Sequence, residues 1–185
     1  MHRPHWISGS LLVLSVAVLV SSVAATTLTP LSDQELADRA DIIVIGRATT
    51  RHVTWVGQDL TTMVTVAVSE SLKGNAGTEL TVALPGGIDR RRKVPIEVLY
   101  VGAPHIATGE EVLLFVERTP HFPAAHVVSG FSQGKLSIVS DPSGDKWVSR
   151  GSRHDPVGGA PEARRLKRLT DFREEIRAHL ERTHQ

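Results

Sequence analysis

The sequence predicts a mainly β domain: a small antiparallel barrel of OB-like type with a short N-terminal helix and an amphipathic C-terminal helix. Three observations carry that expectation. Apolar residues alternate with polar ones in MVTVAVSESL, ELTVAL and KVPIEVLYVG, the period of half-buried strands. Two continuous apolar runs, IIVI and VLLFV, have the composition of strands buried on both faces. Turn residues punctuate the chain between these runs. About eight short strands then follow one another at the spacing of a small sandwich or barrel.

Residues 1–25 have the three-part layout of a secretory signal peptide. Arg3 lies in a short leading segment, an apolar run extends from Ile7 to Val20, and Val23 and Ala25 supply a peptidase site. Cleavage after Ala25 is expected, with Ala24 as the competing position. The run is shorter than the ~20 residues that span a bilayer core. The expectation is therefore an exported chain, periplasmic or extracellular, with no stable membrane insertion after cleavage. Losing Arg3 from 21 basic residues leaves the rest balanced by 20 acidic ones, a charge that offers nothing to nucleic acid. There is no cysteine, hence no disulfide framework. The roughly 160 remaining residues must fold on an apolar core, and that length suffices for one. Aromatic residues make up only 4%, too few for a stacking platform that binds single strands.

The barrel domain is expected over residues 26–150. Ser32 and Glu35 form a capping box, with Leu31 as the staple residue, and predict a helix from Asp33 to Ala40. A strand begins at Ile42 and runs on towards Val56, and VGQD turns the chain. Val64, Val66 and Val68 then share one strand face, KGNAG turns again, and Leu80, Val82 and Leu84 share the next. PGG breaks the chain ahead of the loop DRRRK. Val94, Ile96, Val98 and Tyr100 alternate in a further strand, placed at a sheet edge because Pro95 lacks a ladder donor. GAPHIATGEE is loop chemistry leading into the buried run Val112 to Val116. HVVSGF, QGKLSIV and KWVS are the last strands, the final pair joined by a hairpin at DPSGD. Residues 151–160 read as a Gly/Pro-rich linker and 161–185 as a helix. Leu166, Leu169, Phe172, Ile176 and Leu180 form its apolar stripe, expected to pack on the barrel, with a partner-binding or dimerising helix as the alternative.

Four stretches, ELADRADIIVIGRATT, VTVAVSESLKGNAGTELTVALPGG, GAPHIATGEEVLLFVER and VVSGFSQGKLSIV, resemble in that order a group of uncharacterised secreted bacterial proteins. The resemblance covers about Glu35 to Val139. It implies no particular activity. The architecture is similar to OB-like barrels of the netrin and metalloproteinase-inhibitor type. Those inhibitors bind the target's zinc through an N-terminal cysteine, which this chain does not have.

Ser132 stands in GFSQG, which has the letters of GxSxG but lies in a turn between strands with no elbow leading into a helix; no phosphate-binding loop occurs, and Pro85, Gly86 and Gly87 read as a tight turn. Glu110 and Glu111 beside His105 read as charged gatekeepers before the aggregation-prone run VLLFV. The candidate contact surface is loop material from Gly86 to Lys93 and from Thr119 to His126. Its candidate residues are Arg90, Arg91, Arg92, Lys93, Trp55, His121 and Phe122. These readings point to a non-catalytic binding or accessory module of the bacterial envelope, without a cofactor, whose partner is an envelope or secreted protein. Two alternatives stand beside it. One is a metal-dependent hydrolase using His105, His121 and His126, with His154 nearby. The other is an inhibitor of an exported metalloprotease.

Overall fold

The computed structural model describes residues 29–150 and 166–183. The expected signal peptide, 1–25, and the expected linker, 151–160, both fall outside the described residues. The described chain is mainly β, with two helices against a large sheet.

Helix α1 spans Asp33–Arg39 and starts as its sequence dictates. The Glu35 amide donates to Ser32 Oγ at 3.2 Å, and the Ser32 amide donates to Glu35 Oε2 at 2.8 Å. Its buried face is Leu36 and Ala37. Strands β1 (Ile42–Val56) and β2 (Asp59–Lys73) form a long hairpin that turns at Gly57, where φ is +60°. Gly46 in β1 permits a close crossing, because a Cβ there would strike the Ala67 carbonyl oxygen. β3 (Glu79–Pro85) continues the sheet antiparallel to β2.

Two short strands, β4 (Gly87–Asp89) and β5 (Ile96–Val98), pair only with each other. β6 (Glu111–Arg118) lies antiparallel to β1, from Ile42 opposite Val116 to Arg47 opposite Glu111. β7 (His126–Val128) pairs antiparallel with β6 and parallel with β3. The pairings β1–β2, β2–β3, β3–β7, β7–β6 and β6–β1 therefore return to the strand they started from. β8 (Lys135–Ser140), β9 (Lys146–Arg150) and β10 (Lys167–Arg168) extend the sheet outward from β6. β7 and β8 lie along one edge of β6 like a single strand with an excursion at 129–134. The Ser129 amide donates to the Phe115 carbonyl, and the Phe115 amide donates to the Gly134 carbonyl.

Two apolar clusters fill the fold. Val44, Val64, Val82, Leu114, Val116 and their neighbours form one. The other joins Ile43, Ile45, Leu113 and Phe115 to α1 and to α2 (Leu169–Thr183). β1 and β6 thus contribute alternate residues to both clusters, which is why their sequences are apolar without interruption. Helix α2 buries Leu169, Phe172, Ile176 and Leu180 on its own fold, and Phe172 meets Phe115 edge-on at 6.4 Å.

Two expectations need correction. The C-terminal helix begins at Leu169, not near residue 161. Lys167 and Arg168 are instead extended, paired with Val148 and Trp147 of β9, and Leu166 is 52% exposed rather than part of the stripe. The Val94–Tyr100 alternation is not an edge strand of the main sheet. Only Ile96–Val98 is paired, and Val94 and Tyr100 are exposed.

Leu114 is fully buried and Leu99 is 79% exposed. Leu114→Ala should therefore cost about 2–5 kcal/mol in urea unfolding. Leu99→Ala should change stability by no more than ~0.5 kcal/mol. Equal midpoints for the two variants would show that the core is misplaced.

Candidate functional site

The PGG turn presses its loop onto the β1–β2 hairpin. Gly86 and Gly87 have φ of +83° and +141°, the Gly86 amide donates to the Leu60 carbonyl, and Thr62 Oγ1 donates to the Gly86 carbonyl at 2.7 Å. The turn delivers Asp89, whose side chain is only 4% exposed, as an internal anchor. Trp55 Nε1 donates to Asp89 Oδ2 at 2.8 Å, and the backbone and Nε of Arg91 donate to Oδ1 at 3.1 and 3.2 Å. Arg92 lies 3.5 Å from Oδ2 and places its guanidinium 5.2 Å from the Trp55 ring. The Trp55 indole and the Arg91 amide and guanidinium outweigh desolvation and hold the Asp89 carboxyl down to about 2.

The sequence-chosen contact residues meet around this hairpin. Trp55, Arg91 and Arg92 form the Asp89 cluster. His121 reaches Asp59 at the hairpin end, 3.4 Å away, and stacks edge-on against Phe122 at 4.6 Å. Arg90 lines an open cleft of about 530 Å³ with Arg51, His52 and Thr108, and Lys93 is exposed just beyond it. Beside them Val94, Leu99, Tyr100 and Val101 are exposed. Sequence reasoning missed this apolar surface because an alternating pattern reads as one buried face.

A second constellation occupies the stretch GAPHIATGEE. Glu110 Oε1 accepts from Lys135 Nζ at 2.6 Å and from Ser137 Oγ at 2.7 Å, and its Oε2 accepts from the Ala107 amide at 2.9 Å. Lys135 Nζ also donates to Ser137 Oγ at 2.7 Å, and its side chain is 5% exposed. Burial pushes the Glu110 carboxyl up, but the Lys135 ammonium, the Ala107 amide and the Ser137 hydroxyl together bring it below its usual value. Glu110 is thus the partner of a buried lysine, not a gatekeeper. Glu111 leads elsewhere, to Arg47 at 3.2 Å and Lys146 at 2.6 Å. The signal that could have found the pair is Lys135 and Ser137 at i and i+2, on one face of an otherwise apolar strand.

Lys135 borders a cleft of about 360 Å³ with His105, Ser132, Gln133 and Arg150. Gln133 holds the entering chain there. Its Oε1 accepts from the Leu31 amide at 2.6 Å and its Nε2 donates to the Thr29 carbonyl at 3.0 Å. Arg150 donates to the Gln133 carbonyl at 3.0 Å and pairs with Asp33.

The three histidines of the metal alternative do not converge. His105 borders the Lys135 cleft, His121 sits on Asp59, and both His126 ring nitrogens are buried without a hydrogen-bond partner. Burial, with the Arg118 charge beside it, holds the His126 imidazole below its usual pKa. Among the described residues no three His, Cys, Asp or Glu side chains are grouped to hold a metal ion. His154 lies outside the described residues. No protein-family model matches the chain, and no curated protein matches it.

Two outcomes follow from the buried charges. Lys135→Met leaves Glu110 without its cation and should cost about 3–5 kcal/mol, whereas adding Glu110→Gln should recover part of that loss. Additive losses in a double-mutant cycle would show that the two side chains do not interact. Asp89 has a folded pKa below its unfolded value, so its stabilisation is full above about pH 4 and is lost as pH falls towards 2. Urea midpoints across that window should fall less steeply for Asp89→Asn than for the wild type. Parallel curves would refute the anchor role.

Proposed function

We propose that the chain is an exported, non-catalytic binding or accessory module of the bacterial envelope, built on an OB-like barrel. The barrel reading is supported by the circuit of five strands with one parallel pair, β3 with β7. Export is supported by the three-part layout of residues 1–25. The contact surface is the loop end around Trp55, from Gly86 through Val101 and from Thr119 to His126.

One observation carries this reading. Val94, Leu99 and Val101 are 73%, 79% and 95% exposed on a loop whose base is fixed by Asp89. Large aliphatic side chains left in water at both ends of one short paired strand are unfavourable there, and a partner that covered them would relieve that cost. The charged groups at the other constellation are consumed internally, Lys135 by Glu110 and Ser137, which suits a structural role rather than proton transfer.

The test is co-sedimentation of the chain from Thr26 with envelope fractions of the source cell. The wild type should bind, and a variant with Val94, Leu99 and Val101 all changed to Ser should lose most of that binding at an unchanged thermal midpoint. Full retention by the variant would place the contact surface elsewhere. No binding by the wild type would remove the envelope-binding reading.

A further inference from the structure

We infer that the loop from Arg90 to Val101 docks on an anionic lipid surface, an inference that rests on the binding reading above and names its partner. The segment combines two chemistries in twelve residues: Arg90, Arg91, Arg92 and Lys93 are exposed, and so are Val94, Leu99, Tyr100 and Val101.

The fold holds these side chains in place and outward. β4 and β5 pair from Gly87 opposite Val98 to Asp89 opposite Ile96, which fixes both arms of the loop. Asp89 ties the basic arm to Trp55, and the Arg91 guanidinium also donates to the Val53 carbonyl at 3.3 Å. Tyr100 lies over Gly86, where a Cβ would approach its Cδ2 to 3.3 Å. Val94 precedes β5, and Leu99 and Val101 follow it, so the exposed apolar residues flank a short anchored strand.

Charge selects the occupant. The segment has one carboxylate, Glu97, and Asp89 immediately precedes it. Asp89 is buried under Trp55, Arg91 and Arg92, and only Glu97 is exposed against four cations. Arg51 lines the adjoining cleft with Arg90 and adds to the positive side. Exposed aliphatic tips beside a run of Lys and Arg match a membrane interface, where the tips enter the headgroup boundary and the cations meet lipid phosphates. Among the described residues no helix is long and apolar enough to cross a membrane.

The absence of cysteine makes a local probe possible. An environment-sensitive fluorophore is attached to the full chain at Leu99→Cys or, as control, at Asn75→Cys. Asn75 is an exposed position in the turn beyond β2, at the opposite end of the β1–β2 hairpin. Vesicles of phosphatidylglycerol and phosphatidylcholine in equal parts should shift the emission at 99 to the blue and leave that at 75 unchanged. Phosphatidylcholine alone should do neither. Adding Arg90→Ser and Lys93→Ser should weaken the response by about fivefold per charge. No response at 99, equal responses at 75 and 99, or undiminished binding by the charge variant would each overturn the inference. A response at 99 only when envelope proteins are reconstituted into the vesicles would also overturn it, while leaving the binding reading in place.

Discussion

The pairing of β1 with β6 is the constraint on which the rest of this fold depends. From Ile42 to Ile45 and from Val112 to Val116 every side chain is buried, so neither strand has a face for water. Each backbone group there must find a partner within the sheet. Each face must also be covered by a separate layer. β2, β3 and β7 cover one, and α1, α2, β8 and β9 line the other. The helices are therefore required by the strands: without them Ile43, Ile45, Leu113 and Phe115 would face solvent. Burial of this kind stabilises by about 25 cal/mol per Å² of apolar surface. No disulfide supplements it, since the chain contains no cysteine.

The excursion at 129–134 reconciles the two layers. Beside Phe115 the edge strand of β6 must leave β3, its neighbour in one layer, and take up β9 in the other. The chain does this by looping out for six residues while Phe115 keeps both its backbone bonds, one to Ser129 and one to Gly134. Gly134 sits so close to the Phe115 and Ser129 carbonyls that a Cβ would come within 2.8 and 2.9 Å of them. Gly130 has φ of +61°, and a Cβ there would meet Leu31 at 2.8 Å. The loop so formed presents Gln133 to the backbone of Thr29 and Leu31, which fixes where the chain enters α1. A device that begins as strand splitting thereby sets the N-terminal entry.

What was legible in the sequence was local or periodic. The Ser32–Glu35 box is a contact over three residues, and IIVI and VLLFV announce double burial by composition alone. The turns at Gly57 and Gly86 were visible for the same reason, as residues suited to positive φ. What was not legible depends on partners far along the chain. Lys135 reads as a hairpin residue until Glu110, 25 positions earlier, is folded beside it. The start of α2 is set by the free edge of β9, which takes Lys167 and Arg168 before the helix can begin. The strand predicted over Val94 to Tyr100 failed because a period of two requires a neighbouring strand. The pairing with β4 ends at Asp89 opposite Ile96, so only the middle of the pattern is used. Of the contact residues, the sequence supplied the basic run and Trp55, but not the buried carboxylate that organises them.

That carboxylate shows how burial decides whether a charge is structural or available. Glu110 and Lys135 neutralise each other within the fold, and Ser137 and the Ala107 amide also bond to the pair, so its charges are spent on one another. Asp89 is buried too, but its cations are not: Arg91 and Arg92 remain 68% and 57% exposed while bonding to it. The result is a negative charge inside and positive charge outside, held at a fixed place on the β1–β2 hairpin. Four adjacent cations on a loop would otherwise repel one another and disperse. Anchoring two of them to one buried carboxylate, with Trp55 under Arg92, orders the run beside the exposed Val94, Leu99 and Val101. Removing Asp89 would leave every outward charge in the segment unchanged and take away the anchor that Arg91 and Arg92 share. Composition and arrangement are therefore separable at this surface, and it is the arrangement that the fold builds.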